Sequence, residues 1–151
     1  MRRALAILFL LLISGCVSVS RPISPRAPMV QQQSELPASY IALQGVWTVT
    51  RAQRGGTAMP DKLGTIMHFE GNRFWFEGDR GFEVFEIDAT TEPFKIDYWE
   101  AGTAVQGIFK IVGSTLVDCS APPGVSRPTS FDPTAHPRYI LVEAQRSSDD
   151  K

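Results

Sequence analysis

From residue 45 onward the apolar residues of this 151-residue chain recur at every second position rather than every 3.6. That is the spacing of strands with one buried face. Trp47 and Val49 share a face in 46–51, and Met67 and Phe69 share one in 64–70, opposite His68 and Glu70. Phe74 and Phe76 oppose Trp75; Phe94, Ile96 and Tyr98 oppose Lys95, Asp97 and Trp99. Further strands are expected at 82–88, 105–111, 115–120 and 139–145. Turns rich in Gly and Asn, such as Glu70-Gly71-Asn72-Arg73 and Gly113-Ser114, separate them, because these residues tolerate left-handed backbone. The 82–88 segment changes phase between Val84 and Phe85, which a bulge near Val84 accounts for. Eight short strands in tight succession imply an all-β fold, a single antiparallel up-and-down barrel rather than a sandwich. A short helical turn at 38–44 is placed to cap one end.

The N-terminus carries an address. Arg2 and Arg3 precede an unbroken apolar run at 4–13. The run is too short to span a bilayer, which takes about 20 apolar residues, and suits the core of an export signal. Ile13-Ser14-Gly15-Cys16 follows and resembles the bacterial lipobox. The resemblance implies cleavage after the signal peptide at 1–15 and a lipid thioether on Cys16, which becomes a membrane anchor. The alternative is an ordinary secretory signal cleaved elsewhere. Val17 resembles the non-acidic residue that goes with outer-membrane sorting in a host with two membranes, so the expected location is the cell envelope.

Residues 16–39 hold Pro22, Pro25, Pro28 and Pro37 and the run Gln31-Gln32-Gln33. Apolar residues there are too sparse to offset ordering entropy, and the segment reads as an extended tether. The folded domain is expected at 40–146, with a charged tail at 147–151. Loss of Arg2 and Arg3 leaves 13 basic against 16 acidic residues, a net charge of −3. With no basic run, nucleic acid is a poor partner. Of the two cysteines, Cys16 is engaged, so Cys119 stands alone and no disulfide braces the fold.

Gly45-Val46-Trp47 resembles the Gly-x-Trp signature of lipocalins, and Arg146 sits where lipocalins often place an arginine over that tryptophan. Such a cation–π contact contributes about 0.5–2 kcal/mol and would help close the barrel. A closer resemblance is to a small lipocalin-like, calycin-type domain family abundant in planctomycete-type bacteria. It is carried by Leu43 to Trp47, Met59-Pro60, Phe69-Glu70-Gly71-Asn72-Arg73-Phe74, Ile96-Asp97, Gly107-Ile108-Phe109, Gly113, Thr115, Leu116 and Cys119. It continues through Pro123-Gly124, Arg127-Pro128-Thr129 and Phe131, and covers nearly all of the folded domain. The family implies the barrel and no particular ligand or reaction.

The segment 118–131 offers a carboxylate, a thiol, hydroxyls and a guanidinium. Cys119 ends a strand, and Pro122-Pro123-Gly124 breaks it. Asp118 departs from the family, where that position is usually apolar. It shares a face with Leu116, and Arg127 is its nearest partner in sequence. Asp118, Cys119, Arg127 and Thr129 are therefore candidate interaction residues, as are Trp75 and Trp99, which oppose the apolar face. A cysteine nucleophile needs a base in reach, and neither His68 nor His136 is close to Cys119 in sequence. No His or Cys spacing suggests a metal site, and no cofactor is implied. Glu83, Glu86, Asp97 and Glu100 could pair for glycoside chemistry but read better as a solvated outer face. The expected function is non-catalytic: a binding module for a small apolar or amphipathic ligand, or a filled barrel that binds an envelope protein through its outer face. An enzyme ranks last.

Overall fold

The computed structural model describes residues 37–100 and 102–147. The signal peptide, Cys16, the tether up to residue 36 and the tail beyond 147 lie outside the described residues. The described residues open on a six-residue helix α1 (Ala38–Leu43) and continue into β1 (Gly45–Arg54) and a two-residue β2 (Thr57–Ala58). There follow β3 (Ile66–Glu70), β4 (Arg73–Phe76), β5 (Glu83–Asp88), β6 (Phe94–Glu100), β7 (Thr103–Val112), β8 (Thr115–Ala121) and β9 (Ile140–Arg146). The strands β3 to β9 pair antiparallel in sequence order, β3 pairs with β1, and β9 returns to β1. The result is a closed eight-stranded antiparallel barrel with β2 folded back on the tip of β1.

Closure has a fixed register. Trp47 pairs with Arg146 and Arg54 with Ile140, with a shift between Val49 and Arg51 that makes a bulge at Thr50. The bulge expected near Val84 is absent: Val84, Phe85, Glu86, Ile87 and Asp88 pair with Trp99 to Lys95 without interruption. The apparent phase change has another cause. Phe82 precedes β5, lies in the connection from β4 and is 53% exposed, so it never belonged to the alternation.

Inward side chains fill much of the barrel. Trp47, Phe69, Phe74, Phe85, Ile96, Phe109 and Leu116 are buried and form one cluster. Each such side chain contributes about 1.5–3 kcal/mol by leaving water. A helix as short as α1 does not persist alone in water, so its contacts must hold it. Leu43 is fully buried, and its carbonyl accepts the Trp47 Nε1 hydrogen at 2.9 Å. Arg146 donates to the Gln44 carbonyl at 2.5 Å and to the Ala42 carbonyl. These are carbonyls at the helix end, which favour a cation. Its guanidinium carbon also lies 4.2 Å from the Trp47 ring centre. Gly45, at φ 111°, lets the chain turn from helix into strand beside them, a backbone region costly for other residues.

Strand direction assigns the ends. At one lie α1, the turns after β3 and β7, and the end of β9. At the other lie the β1–β2 hairpin, the connections after β4 and β6, and the long 122–139 connection. That connection covers the outer face of β7, β8 and β9. There Ile108, Cys119 and Leu141 form a second small core with Val117, Phe131 and Tyr139.

Candidate functional site

At the end away from α1 the interior is not filled. A cavity of about 260 Å³ is lined by Met67, Phe69, Phe74, Phe76, Val105, Leu116, Ile140 and Val142, with Glu83, Tyr98, Asp118 and Ser120 as its polar members. Period-two alternation explains the set. Tyr98 on β6, Val105 on β7, Leu116, Asp118 and Ser120 on β8, and Ile140 and Val142 on β9 all point inward. Phe69, Phe74, Leu116, Tyr98 and Asp118 are buried; Phe76, Val105, Ser120 and Ile140, nearest the strand ends, are half-buried. The cavity therefore has an apolar floor and opens to solvent at this end.

Asp118 is 8% exposed. The Tyr98 hydroxyl donates to its Oδ2 at 3.1 Å. Burial pushes the carboxyl up to about 7, while the hydroxyls of Tyr98 and Ser120 pull in the opposite direction. The Tyr98 phenol is driven well up, first by burial and then by the Asp118 and Glu83 charges. Gly107 makes room: a Cβ there would stand 3.1 Å from Ile96 Cγ2 and 3.4 Å from Asp118 Oδ2. The alternation thus has Asp118 indoors, and the partner suggested by sequence is corrected. Arg127 turns to the other side of the sheet, pairs with Asp97 Oδ1 at 2.6 Å, and donates to the carbonyls of Ile96 (3.1 Å) and Gly107 (2.7 Å). It pins the 122–139 connection to β6 and β7.

The remaining candidates lie outside the cavity. Cys119, next to Asp118, faces the opposite way into the small outer core, fully buried, with burial pushing its thiol up to about 12. Its strand continues to Ala121, one residue beyond the expected 115–120. Thr129 is exposed, and its neighbour Pro128 is buried. Trp99 is 41% exposed on the outer face. Trp75 is half-buried and stacks on His68, with ring centres 5.0 Å apart and planes 4° apart; His68 meets Glu77 at 2.6 Å. His136 Nδ1 accepts the Arg138 amide hydrogen within its own loop. Gly45, Trp47 and Arg146 sit at the closed end.

Sequence reasoning assigned Glu83 to the solvated face. It is the first residue of β5, pairs with Phe74 and lines the cavity. Removing Phe82 from the strand is the signal that would have turned Glu83 inward. Tyr98 was read only as an apolar-face residue; its hydroxyl against Asp118 is legible once β6 and β8 are placed on either side of β7. Among the described residues no group of three His, Cys, Asp or Glu side chains could hold a metal ion. No protein-family model, no curated protein and no solved structure matches this chain.

Proposed function

We propose that this protein is a lipid-anchored envelope binding module whose lipocalin-like barrel holds a small apolar or amphipathic ligand. The observation that carries the reading is the apolar cavity of about 260 Å³ in a barrel small enough for side chains to fill. An apolar cavity of about 150 Å³ takes up benzene, so this one suits a ligand of about ten non-hydrogen atoms. An interior with room in it favours this reading over a filled barrel that works through its outer face. The lipobox-like Ile13-Ser14-Gly15-Cys16 supports the anchor, since acyl chains contribute about 0.8 kcal/mol per buried CH₂. The mouth lies at the end of the barrel opposite α1. The site is read as binding rather than catalytic because Cys119 is turned away from the cavity, under the 122–139 connection.

The test is a solution NMR titration with small monocyclic aromatics. Saturable shifts concentrated on Val105, Leu116 and Val142 are expected. Shifts confined to outer-face residues such as Trp75 and Trp99 would move the function to the surface.

A further inference from the structure

We propose that the ligand carries a cationic head, a small organic ammonium on an apolar body, and that the Asp118 carboxylate receives it. This rests on the cavity being a ligand site and names the class of ligand.

Buried charges in proteins are ordinarily paired. Asp118 is buried, yet among the described residues lining the cavity there is no Lys, Arg or His. Arg127, nearest in sequence, is committed to Asp97 and two carbonyls outside. The groups facing Asp118 can be named strand by strand. Tyr98 on β6 donates its hydroxyl, and Ser120 lies on β8 with Asp118 itself. Glu83 on β5 is close enough for its charge to act on the Tyr98 phenol. The neighbours on β7 are Gly107 and Phe109, and on β9 Val142, none of them titratable. The Cys119 thiol feels the Asp118 charge from the opposite face of β8. Among the described residues, the titratable groups named around Asp118 are thus carboxyls, a phenol and a thiol, and the cavity wall is mostly apolar.

The Asp118 carboxylate, in low-dielectric surroundings, holds a cation far more strongly than water does. An ammonium brings three donors, enough for Asp118 and a second oxygen at the polar corner. A carboxylate head would meet like charge, and a neutral head would leave the buried charge unmatched. The apolar wall takes the body of the ligand.

The experiment is calorimetric titration of the full chain with 2-phenylethylamine, 2-phenylethanol and 3-phenylpropionate at pH 8 and pH 5.5, on wild type and Asp118→Asn. At pH 8 the amine should bind about tenfold or more tighter than the alcohol, as a charge-assisted contact implies, and the carboxylate weakest. At pH 5.5, with Asp118 protonated, the advantage should fall by about tenfold. Asp118→Asn should level amine and alcohol at pH 8 while keeping the alcohol's affinity. An amine no better than the alcohol in wild type overturns this proposal and leaves the binding reading standing. An amine preference that Asp118→Asn or pH 5.5 does not reduce overturns the role of Asp118. If neither amine nor alcohol binds, both readings fall. The wild-type pH comparison decides the matter even if the variant does not fold.

Discussion

Asp118 couples the cavity to stability. Its carboxyl is raised to about 7 against an ordinary 3.8, chiefly by burial. Between those values the folded chain binds a proton that the unfolded chain does not, so stability is highest near pH 4 and falls as pH rises to about 7. At 1.36 kcal/mol per pKa unit, the loss across that window is about 4 kcal/mol. Thermal melts at half-unit steps from pH 4 to pH 8 should show a steady decline in wild type and a flat profile for Asp118→Asn, which should be the more stable of the two at pH 8. A wild type that gains stability across this window would mean that a cationic partner is paired with the carboxylate. Half-buried Asp88 and exposed Asp132 are held below the ordinary range, each chiefly by hydrogen bonds from the Thr two residues on. They titrate under more acid conditions and leave this window clear.

At the scale of elements, the 122–139 connection acts as a lid over the outer core, and Arg127 is its fastener. Replacing Arg127 by Ala leaves Asp97 half-buried without its cation, a change that costs about 3 kcal/mol for buried pairs and less here because both partners are partly exposed. The expected result is local. Limited proteolysis should cut first within 122–139, and Cys119, fully buried in wild type, should become reactive to alkylation. An unchanged cleavage pattern and an inert thiol would show that Phe131 and Tyr139 hold the connection without the arginine. The strands themselves were legible because a barrel wall has one dry face, and Trp47, Val49, Met67 and Phe69 announce it directly. The partner of Arg127 was not. Ile96, Asp97 and Gly107 lie 20 or more residues away in sequence and become neighbours only when β6 and β7 pair. Phe82 misled for a related reason: an aromatic in a connection, beneath the Arg73 guanidinium, counts as a strand residue until the strand's start is known.

At the scale of the folded domain, residues 37–147 make a barrel closed at one end and open at the other. α1, Trp47 and Arg146 seal the first end, and the second leads to the cavity. The barrel itself could be read from alternation and turns, but the cavity could not. It is a small vacancy left by the summed side-chain volumes of seven strands, and no single residue encodes it. Its polar corner was half legible, since Asp118 on the face of Leu116 was already anomalous in the sequence. Val105 stands half-buried at the wall of this space, where a tryptophan would occupy much of the volume without adding charge. The most direct measurement is native mass spectrometry of wild type and Val105→Trp after incubation with a library of small apolar and amphipathic compounds, with equal melting temperatures confirming that both are folded. One bound molecule per wild-type chain, lost on unfolding and absent from Val105→Trp, is expected. A bare wild-type chain, or a bound molecule that the tryptophan does not displace, would contradict a ligand-holding barrel.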